Sequence, residues 1–203
     1  MAKRFKQPPI KGCCMTDLQE AVSFHGHLCP MFYLGVRMGG LALKKLDRAR
    51  ERGVKLHAVV EFANCFGDGI QYVTGATFGK NNLHLADRGK FAASFYDLSS
   101  GKNLRLRMKK DIVEKVLEYG RAGRDVKRLP PAEREEETRR LMAMGREMVE
   151  RLKGLSDEEL FEVTDAPGFT PPEGPSLDYV VCPGCGEVTL KEYAEKGLCG
   201  SCG

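Results

Sequence analysis

The feature that most constrains this chain is a run of four cysteines near its C-terminal end. Cys182-Pro183-Gly184-Cys185-Gly186 and Cys199-Gly200-Ser201-Cys202-Gly203 are two C-x2-C knuckles with 13 residues between them. Each knuckle points two thiolates at one centre, and its glycines relieve the turn. Four thiolates suit tetrahedral Zn²⁺ in a closed structural site. A segment running from Cys182 to Gly203 is too short to fold on apolar burial alone, so metal binding is expected to hold it together. Iron in a rubredoxin-like centre shares this ligand chemistry; the short spacer and the lack of a large aromatic core favour zinc. Lys191 and Lys196 are set against Glu187, Glu192 and Glu195. Without interleaved aromatic and basic residues, nucleic-acid binding is not expected, and a docking or structural role is.

The remainder is long enough for one ordinary domain. The chain has 203 residues, of which 42% are hydrophobic and 30% charged, and a formal net charge of +4. That charge permits an anionic partner but does not require one. No apolar run approaches the about 18–20 residues that span a bilayer. The basic stretch Met1 to Pro9 is followed by no apolar segment, so a secretory signal is not expected and the cytoplasm is. Eight cysteines in that compartment point to metal binding or chemistry rather than disulfides. Cys13 and Cys14 read most simply as free thiols ahead of the first helix.

Periodicity and punctuation divide the chain into three stretches: a core at 1–165, a Pro- and Gly-rich linker at 166–180, and the cysteine module at 181–203. Thr16 and Gln19 have capping-box spacing and open a helix that ends near Phe24–Gly26. Pro30 suits the first turn of a second helix, reaching about Asp47 and apolar over most of its circumference. Gly35 and Gly39 on it predict close packing against another backbone. Leu56 to Phe62 reads as a strand, followed after Cys65 by a turn and a helix through Ile70–Val73. Phe91–Tyr96 and Leu104–Met108 read as paired strands joined at Ser99-Ser100-Gly101. Helices are expected over Ile112–Lys127 and Ala132–Lys153, with Pro130-Pro131 between, and a short strand over Phe161–Thr164. Strands and helices mixed without regular βαβ alternation define an α+β core.

Chemistry concentrates in His25-Gly26-His27-Leu28-Cys29-Pro30. His25, His27 and Cys29 fall at i, i+2 and i+4, so extended or helical geometry brings imidazole and thiol together. A helix starting at Pro30 would lower the pKa of Cys29. Cys65, on the loop after a buried strand, could complete a His25/His27/Cys65 metal set with an open position for water or substrate. Asp68 and Gln71 lie one helical turn apart. They could orient ligands or act on a bound molecule. Gly75-Ala76-Thr77-Phe78-Gly79-Lys80 is not a Walker A loop, because Thr74 and Asn81 stand where glycine and Ser/Thr are needed. Backbone amides there, with Lys80, could still meet an anion.

Three blocks together resemble the E component of formylmethanofuran dehydrogenase: Phe24 to Pro30, Asn64-Cys65 with Asp68 and Gln71, and Thr74 to Leu83. The similarity runs on through Lys90–Tyr96 and includes the cysteine module, which only some members carry. The resemblance implies an α+β core, a homodimer with intertwined elements, and an auxiliary treble-clef zinc finger. It implies one cleft holding His25, His27, Cys29, Cys65, Asp68, Gln71, Thr77 and Lys80. In that cleft His25, His27 and Cys65 would bind a second metal. Cys65, Asp68, His27 and Lys80 would form the catalytic set, and Gln71 and Thr77 would contact a cofactor. Two positions depart from the family: Met31 replaces a usual Gly, and Ala76 replaces a frequent Cys, which removes a thiol. The parent complex interconverts CO₂ and formylmethanofuran with a molybdenum or tungsten pterin and iron–sulfur clusters. No pterin site and no C-x2-C-x2-C-x3-C-P motif is readable here. The expectation is therefore an accessory subunit of a larger oxidoreductase in one-carbon, methanogenesis-related metabolism, or a relative of it. The alternative is a non-enzymatic module that delivers metal or cofactor to a partner docked through the zinc finger.

Overall fold

Two helices packed backbone against backbone organise the core. In the computed structural model, which describes residues 18–203, α1 (Leu18–His25) leads into α2 (Pro30–Leu46) and α3 (Cys65–Thr74). The expected cap at Thr16 and the thiols of Cys13 and Cys14 lie outside the described residues. Pro30 opens α2, where its missing N–H costs nothing. Asn64 caps α3, its side-chain oxygen accepting the Phe66 N–H at 2.8 Å, and Gly75 ends it with φ +74°. Gly35 does meet another backbone: a Cβ there would overlap the carbonyl of Phe66. Gly69 answers from α3, where a Cβ would lie 2.5 Å from the Phe32 oxygen and 2.6 Å from the Val36 nitrogen. Gly39 faces Val73 and Thr74. These contacts advance together along both helices, so α2 and α3 run in the same sense and start side by side.

The helices cover one face of a five-stranded sheet of order β2-β1-β3-β4-β5. Its strands are β1 (Leu56–Val60), β2 (Leu83–Leu85), β3 (Ala92–Asp97), β4 (Asn103–Met108) and β5 (Phe161–Thr164). β2 joins β1 in parallel and every other neighbour is antiparallel. Alternation along the strands sends Leu56, Ala58, Val60, Ala93, Phe95, Leu104 and Leu106 into one cluster with Leu34, Met38, Phe66 and Ile70. The opposite face carries His57, Glu61, Ser94, Tyr96 and Arg105. It is polar but closed, and β3 is buried on both sides. There Arg105 forks onto the buried Glu61 carboxylate, with bonds of 2.6 and 2.9 Å.

α4 (Lys110–Arg128) and α5 (Pro131–Lys153) form the expected charged hairpin, broken at Pro130-Pro131. Within the core, β2 and α6 (Asp157–Leu160) were not foreseen. β2 is three residues long and too brief for period-2 alternation to show; it exists because β1 offers it a ladder. α6 has a full capping box between Ser156 and Glu159, a legible signal for a helix of one turn.

The chain divides into two compact units between Phe169 and Thr170. In the second, β6 (Tyr179–Val181) pairs with β7 (Val188–Leu190), and β8 (Ala194–Glu195) with β9 (Leu198–Cys199). Both knuckles close as tight turns: the Gly186 N–H bonds to the Cys182 carbonyl and the Cys202 N–H to that of Cys199.

Candidate metal centre

His25 is the last residue of α1, Cys29 caps α2, and Cys65 begins α3. Because α2 and α3 start side by side, ligand atoms of His25, His27, Cys29 and Cys65 come within 4.8 Å of one another. The Cys29 sulfur accepts the Phe32 N–H at 3.5 Å, as an N-cap residue should.

His25 is held on two sides. Its Nδ1 lies 2.8 Å from Asp68 Oδ2, and its ring stacks on Phe32 with centroids 4.5 Å apart and planes within 2°. A carboxylate only accepts, so Nδ1 carries a proton, and in the neutral ring Nε2 keeps its lone pair. That Nε2 is buried and has no hydrogen-bond partner among the described residues. Buried polar atoms are nearly always paired, and a carboxylate-oriented imidazole with a free, buried lone pair is the usual form of a metal ligand. The donor set fits a transition metal: two imidazoles and two sulfurs at one point, one imidazole already in the binding tautomer.

Electrostatics divide the two cysteines. The thiol of Cys65 is brought down to about 5, first by a hydrogen bond from Cys29; burial opposes this, and the neighbouring imidazoles of His25 and His27 assist. Cys29 moves up, because it donates to Cys65, is buried, and faces that negative sulfur. The expectation of a thiolate at Cys29 from its helix start is thus corrected. The amide of Phe32 does favour it, but the neighbouring sulfur and burial outweigh that amide, and the charge resides on Cys65.

The other expected site residues are spread more widely. Asp68 orients His25 and is 49% exposed, so one side of its carboxylate meets solvent. Gln71 is half-buried on α3 and its carbonyl accepts the Gly75 N–H. Thr77 caps the short 3-10 turn Phe78–Lys80, and the Lys80 ammonium donates to the Gly75 carbonyl. Thr77 and Lys80 form no hydrogen bond to the four converging residues among those described. Sequence reasoning missed two participants. Phe32 is the platform for His25. Tyr119, from α4, packs against the cluster of Cys29 and Phe32; burial raises its phenol, and the neighbouring pair of Cys29 and Cys65 raises it further. Its hydroxyl sits over Gly145 of α5, where a Cβ would lie 2.8 Å away. Phe32 follows the motif closely enough to be found by helical spacing; Tyr119 is too distant in sequence for any local signal.

In the C-terminal unit, Cys182, Cys185, Cys199 and Cys202 also converge within 4.8 Å. The Cys182 sulfur accepts the Cys199 N–H at 3.4 Å, the foremost of several amides that hold it down to about 6.

An α+β core that gathers two histidines from the end of α1 and the loop after it with two cysteines at the starts of α2 and α3, followed by a four-cysteine unit, defines the class. Residues 24–162 match the family described as FmdE, molybdenum formylmethanofuran dehydrogenase operon. The chain belongs to this family. It is similar to the crystal structure of a tungsten formylmethanofuran dehydrogenase FmdE-like protein from Syntrophus aciditrophicus. That likeness has 25% identity and a TM-score of 0.58, over 92% of this chain and 90% of the other. It is also 32% identical over 190 residues to a probable S-adenosyl-L-methionine-binding protein of Archaeoglobus fulgidus. The match takes in 91% of this chain and 52% of that protein, so the chain spans about half the length of this relative. Among the described residues no helix is long and apolar enough to cross a membrane.

Proposed function

We propose that the core is a metal-binding module serving one-carbon or redox chemistry, with His25, His27, Cys29 and Cys65 as ligands and zinc as the metal best suited to two nitrogens and two sulfurs. The observation that carries this reading is the buried, unpartnered Nε2 of His25, whose other nitrogen is fixed by Asp68. Cys29 joins the ligand set expected from sequence because its sulfur lies within 4.8 Å of the other three donor atoms. Four donors would close a tetrahedral site; with the exposed His27 released, the metal would have the open position from which to act as a Lewis acid toward an oxygen of a small substrate. The chain's own residues do the rest. Asp68 and Phe32 set the plane of His25, Cys65 supplies a thiolate at neutral pH, and Cys29 gives up its proton when metal enters. His27 is exposed and closes the set from the solvent side.

The four-cysteine unit is proposed to hold structural zinc and to dock a partner, within a homodimer or a larger oxidoreductase assembly, in the cytoplasm. A non-enzymatic role, presenting a cofactor to a partner enzyme, is the second reading. The name of the archaeal relative, a probable S-adenosyl-L-methionine-binding protein, favours it. Metal content per chain tests the central claim. The full chain purified under reducing conditions is expected to carry two equivalents, and Cys65→Ala and His25→Ala one each. Unchanged metal content in both variants would sink the core site.

A further inference from the structure

The second histidine pair lies outside the metal centre, on the opposite face of the sheet. His57 on β1 and His84 on β2 place Nδ1 and Nε2 3.0 Å apart with ring planes within 1°. His57 is 5% exposed. Phe169 covers both rings, 5.5 Å from His57 and 5.3 Å from His84, and stacks on Tyr96 at 4.5 Å. The Tyr96 hydroxyl donates to the Pro167 carbonyl at 2.9 Å. The strap of residues 165–169 is therefore pinned to the sheet by one aromatic ring and one hydrogen bond. It is the last piece of the first unit, directly before the four-cysteine unit begins at Thr170.

We propose that the His57–His84 pair is a proton-operated latch for this strap, holding Phe169 down while the pair is neutral and releasing it on acidification. An N–H···N bond between imidazoles needs one N–H and one lone pair. When both rings are protonated, two N–H groups face each other at bonding distance and two positive charges lie together beneath Phe169. Both effects disfavour the latched state. Burial already holds each ring below the ordinary histidine value, and His57 adds to this at His84. Of the charged groups around the pair, Glu51 acts on His57 in the opposite direction. Glu51 is, however, committed to Arg48 and to the amides of Gly53 and Leu56. Asp165 on the strap forms no ion pair with either ring among the described residues.

The sign follows from linkage. The released rings regain the ordinary value of about 6.5, so release takes up protons. The latch is at full strength above that pH and weakens as pH falls below it. Each proton taken up on release shifts the equilibrium about tenfold per pH unit. Release frees residues 165–169 and so lengthens the connection to the four-cysteine unit.

The chain contains no tryptophan, so Phe169→Trp places a single indole at the latch. Its emission is expected to shift to longer wavelength between pH 7.5 and 5 while far-UV circular dichroism holds constant. In the His57→Gln/His84→Gln background that transition is expected to vanish. In the unaltered chain, the ring-proton NMR shifts of Phe169, displaced by the stacked Tyr96 ring at 4.5 Å, give a check free of substitution at Phe169. They should move toward random-coil values from pH 7 to 5.5 while the amides of β1 and β3 keep their exchange protection. Phe169 shifts that stay constant over that range, or an indole transition that persists in the double glutamine variant, overturn the latch.

Discussion

Gly69→Ala tests whether the approach of α2 and α3 builds both the fold and the metal centre. In an unobstructed helix the change would stabilise by about 1 kcal/mol through propensity. Here the new methyl carbon would stand 2.5 Å from the Phe32 oxygen and 2.6 Å from the Val36 nitrogen. Ordinary contact is about 3.5 Å, so the helices must part by roughly 1 Å. Neither obstructing atom sits on a rotatable side chain, so rotamer changes cannot relieve the overlap. Overpacked cores lose about 1–3 kcal/mol, and a clash with backbone belongs at the upper end. After the propensity gain, the net loss is expected to be about 2 kcal/mol. For a chain of this size that lowers Tm by about 4–8 °C. Because Cys29 and Cys65 sit at the starts of the same two helices, affinity at the core site should fall as well. The assay is thermal unfolding of metal-free protein, with Co²⁺ titration read at the thiolate charge-transfer band. Gly120→Ala is the control: it is an exposed helical glycine with nothing within 4 Å of its Cβ position, and should gain stability. If Gly69→Ala matches Gly120→Ala in sign, the backbone-contact argument is refuted.

Metal-free protein should be alkylated at Cys65 by iodoacetamide at a rate nearly flat from pH 6.5 to 8, because the thiol titrates at about 5. A rate rising tenfold per pH unit, measured by peptide mass spectrometry, would contradict the thiolate assignment. Glu61→Gln is expected to cost about 2–3 kcal/mol in urea unfolding, since it leaves the forked Arg105 underpaired beside a buried group. The guanidinium of Arg105 holds the Glu61 carboxyl below its ordinary 4.5. Its contribution is therefore present above that pH and disappears as pH falls through the folded value; the variant should lack this part of the acid dependence.

Local patterns were enough for most elements because their signals are local. Pro30 starts a helix through its own backbone chemistry, and alternation in β4 needs no partner to be read. The turn expected after Cys65 is instead the first turn of α3, which the Asn64 cap sets. The short β2 was hidden because it depends on β1 for its hydrogen bonds. The site divides the same way. The spacing of His25, His27 and Cys29 pointed to one group of possible metal ligands and the two C-x2-C knuckles to another, and each group converges within 4.8 Å. Which cysteine carries charge, and whether Cys29 joins the donors, depends on distances between α2 and α3 that spacing does not contain.

The ligands of the four-cysteine unit were legible in sequence alone, since each pair lies on one tight turn; their convergence, with the Cys182 sulfur accepting the Cys199 N–H from the other knuckle, is tertiary. The core centre was decided by tertiary structure. Only the glycine-mediated contact of Gly35 and Gly69 brings Cys65 to Cys29, only Asp68 across that contact fixes the tautomer of His25, and only α4 delivers Tyr119. The physical reason is range: a turn dictates its own geometry over a few residues, whereas converging donors require packed helices to exclude water and hold their separation.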